Sequence, residues 1–250
     1  MFSCSYGINL SQLIPFNQYF RSFSVNKNND LILFDFIDSF DYNHNMIKIS
    51  FSGYAGSGKT SLMNEVKKIL SLKSRVETVD QLNGRNPFDS DKKSSFASQF
   101  FYMSSQINEE NVRSMVPLDF LLCDQSVLDQ WLYWRAKFME KETTPRLEEK
   151  DQLLKNMFRF WIKTYDLTFI IRIDLNEYEK REFKNLLRKP DLDYIRKSDE
   201  ILKSIIEEEN LNVIETWNNN SIDECAHEII RVISDYREQE NSIKTTSDKF

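Results

Sequence analysis

The sequence predicts an α/β protein with three α/β/α layers, a five-stranded parallel sheet and a helical lid, and three observations support this. From Met46 onwards, short apolar strands alternate with helical stretches, which is typical of a parallel sheet with helices on both faces. A glycine-rich loop joins the first strand to the first helix. Aspartates end the later strands, at the edge of the sheet where such folds bind ligands.

The elements follow from apolar runs, helix periodicity and turn residues. The predicted strands are Ile47 to Ser52, Arg75 to Asp80, Leu118 to Asp124, Leu167 to Ile173 and Asn212 to Thr216. The predicted helices cover about Gly58 to Leu72, Lys92 to Arg113, Val127 to Glu142, Leu147 to Thr164, Asn176 to Lys189, Tyr194 to Glu209 and Ile222 to Glu238. We expect Ser221 to cap the last helix. Residues 1–45 form an extension of unknown role, residues 46–238 the main domain, with a lid at about 176–197, and residues 239–250 a polar tail.

The composition indicates a globular protein without a general basic surface. Of the 250 residues 40% are hydrophobic, enough for a sizeable core, and the net charge is −6. Nucleic acid is therefore not favoured as a partner, although a local basic patch would be compatible with it. The three cysteines are far apart, which predicts neither a zinc site nor disulfides and favours a reducing cytoplasm. No apolar run approaches the ~18 residues of a membrane helix and no signal peptide is visible, so we expect a cytoplasmic protein without membrane contact.

One stretch fits a phosphate-binding motif at every fixed position. Gly53 to Thr60 reads G-Y-A-G-S-G-K-T, which matches the P-loop or Walker A motif G-x-x-x-x-G-K-[ST] between a strand and a helix. Loop amides and the positive end of the helix attract phosphate oxygens. We expect Lys59 to reach the β- and γ-phosphates of ATP and the Thr60 hydroxyl to bind Mg²⁺. The predicted ATP-binding residues are Gly53, Tyr54, Ala55, Gly56, Ser57, Gly58, Lys59, Thr60 and Ser61.

A simple turn between strand and helix is the alternative explanation of this loop. Such a turn would not need three of the chain's five glycines within six residues, followed by Lys-Thr. The predicted fold class is therefore that of a P-loop NTPase.

Carboxylates near the ends of the second and third strands are candidates for metal binding and catalysis. Asp124 is the candidate partner of Thr60 at Mg²⁺, with capping of the next helix as the alternative. Asp80 either accepts the proton of an acceptor hydroxyl or has a structural role, and Glu77 is the competing base. Asp129 either faces the acceptor pocket or lies in solvent.

A loop and a helix supply the candidate acceptor-binding residues. Arg85, in the loop after the second strand, either binds an anionic acceptor or is structural. Gln99 and Gln106 are seven residues apart and share one face of the next helix. They either line a pocket for a base or form the polar edge of a core helix.

Basic residues crowd the segment after the fourth strand. Acidic residues are interleaved with them, which is typical of a solvated helix with i,i+4 ion pairs. The same segment is where P-loop kinases of small molecules carry a lid. An arginine that stabilises the transferring phosphoryl group can be worth ~10³–10⁵ in rate, and Arg181 and Arg188 are the candidates.

The chain resembles the P-loop nucleoside and nucleotide kinases, and most of all the AAA-type ATPase/kinase domain of the ribosylnicotinamide-kinase-like family. The resemblance covers about Met46 to Ile233. It rests on the P-loop, the stretch D-Q-S-V-L-D-Q-W-L-Y from Asp124, the glutamine-bearing second helix and the ending Leu211 to Trp217. One position departs from it: Gln125 stands where those relatives usually have arginine, which removes a cation from the phosphate site. Either a lid arginine substitutes, or the acceptor differs, or activity is weak.

The leading prediction is a cytoplasmic kinase that transfers the γ-phosphoryl group of Mg–ATP to a nucleoside- or nucleotide-like small molecule. In it Lys59 stabilises the phosphate charge, and Asp80 or Asp124 lies near the acceptor. Two alternatives stay open: an NTP-binding ATPase or switch whose partner arm is residues 1–45, and a kinase acting on modified nucleic acid. The sequence leaves the oligomeric state open, with a homodimer among the options.

Overall fold

The structure, a computed structural model, describes residues 46–82, 86–88, 95–138, 144–180, 192–219 and 221–247. All of them lie in one unit, Asn43–Phe250. The predicted extension, residues 1–45, lies outside the described residues. Arg85, Arg181 and Arg188 also lie outside them, so their predicted roles stay predictions.

Five parallel strands form one sheet in the order β2-β3-β1-β4-β5, which confirms the predicted fold class. The strands are β1 Ile47–Ser52, β2 Val76–Val79, β3 Phe120–Asp124, β4 Leu167–Arg172 and β5 Ile214–Trp217. The first strand lies at the centre, so the loop that follows it opens between β3 and β4. The register pairs Phe51 with Asp124, which brings the end of β3 level with the start of that loop.

Helices connect the strands. They are α1 Lys59–Leu70, α2 Phe96–Ser114, α3 Val127–Phe138, α4 Pro145–Trp161, α5 Leu175–Lys180, α6 Leu192–Glu208 and α7 Ile222–Ser247, with a 3₁₀ turn Ile162–Thr164 after α4. Ser221 caps α7 as predicted, since its Oγ accepts the Glu224 N–H at 3.2 Å. Helix α7 was expected to end near Glu238 but continues to Ser247, in a stretch that contains neither glycine nor proline.

The two faces of the sheet differ in chemistry, as the alternation along β1 shows. Ile47, Ile49 and Phe51 point into an apolar core that includes residues of α1 and α7. Lys48, Ser50 and Ser52 point to the opposite face, where Lys48 pairs with Glu110 of α2. All six residues of the strand are buried, so the polar ones must find partners inside the protein.

Local sequence explains how the helices on this polar face begin. Ser95 caps α2 by accepting the Ser98 N–H at 3.2 Å, and Thr144 caps α4 by accepting the Leu147 N–H at 3.3 Å. Pro145 occupies the first turn of α4, where its missing N–H costs nothing. In the described part of the chain, no helix is long and apolar enough to cross a membrane.

Candidate nucleotide-binding site

The loop between β1 and α1 has the backbone geometry of a phosphate cradle. Gly53 has φ 139°, and a Cβ there would lie 2.6 Å from the carbonyl oxygen of Ile171, so only glycine fits. Gly58 has φ 92° and is the N-cap of α1, whose first residue is Lys59. The loop thus ends at a helix N-terminus, where free N–H groups and the helix dipole favour an anion.

Lys59 is folded back onto its own loop. Its Nζ donates to the carbonyl oxygens of Gly53 at 2.7 Å and Tyr54 at 3.0 Å, and only 4% of the residue is exposed. Burial lowers the pKa of Lys59, and the nearby Asp129 and Asp124 oppose this by stabilising the ammonium. The lysine is therefore held at the site by bonds that phosphate oxygens could replace.

Thr60 and Asp124 lie together, as the magnesium hypothesis requires. The Thr60 hydroxyl donates to Asp124 Oδ2 at 2.6 Å. Gln81, which the sequence analysis did not identify, donates from Nε2 to Thr60 Oγ1 at 3.1 Å and to Asp124 Oδ1 at 3.2 Å. Burial raises the pKa of Asp124, while the hydrogen bonds that it accepts from Thr60 and Gln81, together with the charge of Lys59, oppose the shift. A hydroxyl and a carboxylate side by side form the hard oxygen donor set that Mg²⁺ prefers.

Asp80 lies close enough to act on Asp124 electrostatically. It is exposed just after β2, and its charge contributes to the raised pKa of Asp124. Glu77, the competing candidate for the base, forms an ion pair with Arg113 at 3.3 Å near the end of α2. Of the two carboxylates, Asp80 is the one beside the site.

Asp129 is not where either sequence interpretation placed it. It is fully buried beneath the loop, where Oδ1 accepts the Gly53 N–H at 3.0 Å and Oδ2 accepts the Ser126 N–H at 2.8 Å. Its Oδ1 lies 3.9 Å from Lys59 Nζ. The side chain therefore supports the loop and the lysine instead of facing an acceptor. Burial raises the pKa of Asp129, against the opposing effects of Lys59 and these hydrogen bonds.

Two later segments hold the loop in place. The Tyr54 hydroxyl donates to the Ile173 carbonyl at 2.7 Å and accepts the Ile173 N–H at 2.9 Å, which ties the loop to the residue after β4. Asn218, directly after β5, donates from Nδ2 to the Ser57 carbonyl at 2.9 Å. Neither contact was predicted from the sequence, because Tyr54 occupies a variable position of the motif and Ser57 contributes only its backbone carbonyl.

Gln99 and Gln106 are buried and bonded within the protein. Gln99 Nε2 donates to the Oε1 and the backbone carbonyl of Gln130, both at 2.9 Å, and Gln130 Nε2 donates to Gln125 Oε1 at 3.3 Å. Gln106 Nε2 donates to Glu110 Oε1 at 2.7 Å and to the Gln125 carbonyl at 3.3 Å. These amide groups form a chain behind Gln125, which matches the core-helix interpretation better than a pocket wall.

Gln125 itself adopts an unusual backbone conformation. Its φ is 81°, in the left-handed region that residues other than glycine rarely adopt. Its N–H donates to the Phe51 carbonyl at 3.1 Å, so the turn after β3 is bonded to the end of β1. Among the described residues, no group of three or more His, Cys, Asp or Glu side chains could hold a metal ion; the Thr60–Asp124 pair is a smaller donor set of one hydroxyl and one carboxylate.

Comparison with solved structures identifies the fold. Thymidylate kinase from Candida albicans matches with TM-score 0.55 and 15% sequence identity, over 77% of this chain and 94% of that one. Deoxyadenosine kinase from M. mycoides with bound dCTP matches with TM-score 0.55 and 13% identity, over 76% and 100%. Thymidylate kinase from Ehrlichia chaffeensis matches with TM-score 0.52 and 16% identity, over 76% and 99%. The chain therefore shares the fold of these thymidylate and deoxyadenosine kinases.

The finer resemblance to the ribosylnicotinamide-kinase-like family finds no support in these matches. No family model matches the sequence. A search of curated proteins also finds no match. At 13–16% identity the structures establish the shared fold, and the chemistry must be argued from the residues above.

Proposed function

We propose that this protein is an ATP-dependent phosphotransferase that transfers the γ-phosphoryl group of Mg–ATP to a nucleoside- or nucleotide-like acceptor. The observation that carries the proposal is the hydrogen bond from Thr60 Oγ1 to Asp124 Oδ2 at 2.6 Å. Thr60 ends the P-loop motif and directly follows the buried Lys59. The structures that share the fold are described as thymidylate and deoxyadenosine kinases, which favours a nucleoside-like acceptor.

The residues present fit a magnesium ion and a triphosphate. Thr60 and Asp124 would hold the ion, directly or through water, and Gln81 would orient both oxygens. When bound, the ion would neutralise charge on the β- and γ-phosphates. Lys59 Nζ would exchange its two loop carbonyls for phosphate oxygens, while Asp129 keeps a counter-charge beneath it.

The chemical demand on the protein in such a transfer is mainly positioning and charge stabilisation. Asp80 is the proposed acceptor of the proton from the attacking hydroxyl, because it is exposed beside Asp124. Arg181 and Arg188 remain the proposed cations that close over the phosphates. Arg85 remains the proposed contact to an anionic acceptor.

Acceptor-dependent ADP release tests the proposal. ATP and Mg²⁺ are supplied with a panel of nucleosides, nucleoside monophosphates, nicotinamide riboside and oligonucleotides. The matched variants are Lys59→Ala and Lys68→Ala; Lys68 lies on the same helix with its side chain 75% exposed. We expect one acceptor class to raise ADP release strongly in the wild type and in Lys68→Ala, but not in Lys59→Ala.

The other outcomes identify the alternatives. Slow ADP release that needs Lys59 but ignores every acceptor would refute the kinase and indicate an ATPase or switch. Preference for oligonucleotides, with affinity that falls steeply with salt, would indicate a kinase of nucleic acid.

A further inference from the structure

A buried charged cluster lies behind the site, on the polar face of the sheet. We call it the Glu110 cluster; its members are Lys48 on β1, Gln106 and Glu110 on α2, Trp161 and Tyr165. Lys48 Nζ lies 2.6 Å from Glu110 Oε2, with the two residues 2% and 1% exposed. The same ammonium lies 4.4 Å from the ring centroid of Trp161 and 4.6 Å from that of Tyr165.

The Glu110 carboxylate is held from four sides. Oε1 accepts from Gln106 Nε2 and from the Tyr165 hydroxyl, both at 2.7 Å. Oε2 accepts from Trp161 Nε1 at 2.6 Å and faces Lys48. A buried charge needs such compensation, yet apolar residues of similar volume often serve stability equally well. The buried ion pair is therefore weak evidence for a purely stabilising role.

Two members of the cluster reach the turn that follows Asp124. Gln106 Nε2 also donates to the Gln125 carbonyl at 3.3 Å. The Tyr165 hydroxyl accepts the N–H of Val127, the first residue of α3, at 3.4 Å. The cluster thus binds backbone groups on both sides of Ser126, next to the left-handed Gln125. A strained backbone persists only where its surroundings hold it.

This turn sets the direction of the candidate metal ligand. Asp124 precedes it and bonds to Thr60, while Ser126 within it donates its N–H to Asp129 beneath the loop. A change in the turn would therefore shift Asp124 relative to Thr60. Residues that do not contact a metal ion themselves can orient, through hydrogen bonds, the side chains that do.

We propose that the Glu110 cluster positions Asp124 for magnesium, with Gln106 and Tyr165 as the positioning residues. Lys48 and Trp161 fix the orientation of Glu110, which fixes the amide of Gln106 and the hydroxyl of Tyr165. The inference rests on the proposed function, because that proposal assigns Asp124 to the ion.

The test measures binding of a fluorescent ATP analogue with Mg²⁺ and with EDTA, so it needs no acceptor. The variants are Gln106→Met and Tyr165→Phe. The control is Thr168→Val, which removes a buried oxygen that accepts from Ser50 Oγ at 3.1 Å, outside the Glu110 cluster. Asp124→Asn shows the signal expected when the carboxylate is lost.

We expect both positioning variants to lower the gain in affinity from Mg²⁺ by about tenfold, with affinity in EDTA unchanged. Thr168→Val should keep the full gain. Each hydrogen bond lost should lower the melting temperature by about 2–4 °C in the variants and the control alike.

Each result has one meaning. If the positioning variants keep the gain while Asp124→Asn loses it, the inference is wrong and the proposed metal site stands. If they weaken binding equally with Mg²⁺ and EDTA, the cluster supports only the fold, and the inference is again wrong. If Asp124→Asn keeps the gain, the magnesium assignment fails and the inference fails with it.

Discussion

Replacing Tyr54 by phenylalanine tests how firmly the P-loop is attached to the sheet. The ring would keep its place in the cluster of Tyr54, Ile173, Tyr178 and Ile195, all at most 3% exposed. Only the hydroxyl is lost, and with it the bonds to the N–H and the carbonyl of Ile173. The variant therefore isolates a polar contribution from packing.

The expected cost follows from the burial of the two backbone groups. One hydrogen bond contributes about 1 kcal/mol net, and a buried group left without its partner costs about 1–3 kcal/mol. For two groups on one residue we expect the free energy of unfolding to fall by about 2–3 kcal/mol. The melting temperature should fall by about 4–12 °C in a domain of this size.

Equilibrium unfolding in urea, with circular dichroism as the signal, measures the difference. Tyr236→Phe is the matched control. It also removes a tyrosine hydroxyl that has a hydrogen-bond partner, Asp166, but Tyr236 is only partly buried. We expect the control to lose about 1 kcal/mol or less. A Tyr54→Phe midpoint equal to that of the wild type or of the control would refute the idea that this hydroxyl anchors the loop.

Three further predictions concern the backbone and the charge of the site. Gly53→Ala should lower the free energy of unfolding by about 2–4 kcal/mol in urea titrations, because its Cβ would meet the Ile171 carbonyl at 2.6 Å; a wild-type value would contradict the loop geometry. Gln125→Val should be about 1–2 kcal/mol less stable than Gln125→Gly in thermal unfolding, since φ is 81°, and equal stabilities would contradict this. Burial raises the folded pKa of Asp124 above its ordinary 3.8, so the native state takes up this proton first as pH falls. Protonation removes the cost of the buried charge, so the wild type should gain stability relative to Asp124→Asn as the pH falls from neutral to about 4. Urea unfolding of both proteins at each pH measures this, and a difference in unfolding free energy that stays constant with pH would exclude a raised pKa.

The fold was predictable because its signals are local. Alternating apolar strands and helices predict a parallel sheet, and the P-loop motif is contained in eight consecutive residues. The pairing of Thr60 with Asp124 followed from the position of Asp124 at a strand end. Strand ends meet at one edge of a parallel sheet, so this contact needs only the topology.

The supporting contacts were not predictable, because they depend on which helix face meets which strand. Asp129 stands in the first turn of α3, and its position in the sequence alone does not distinguish a buried residue that supports the loop from one that binds the acceptor. Gln99 and Gln106 share a face as predicted, but that face is turned inwards. Lys48 does indicate a buried ion pair, since a lysine in a buried strand requires a carboxylate partner. Nothing local identifies Glu110 as that partner.

The bonds that shape the P-loop also bear on when this protein becomes able to bind nucleotide during synthesis. The loop is bonded to residues made much later: Gly53 to Asp129, 76 positions on, Tyr54 to Ile173, 119 on, and Ser57 to Asn218, 161 on. A nascent chain released from the ribosome only as far as Ile173 would carry the whole motif and still lack Asn218. Nucleotide capture should therefore be a late event, which follows emergence of β5 and cannot assist the folding of the first half of the chain.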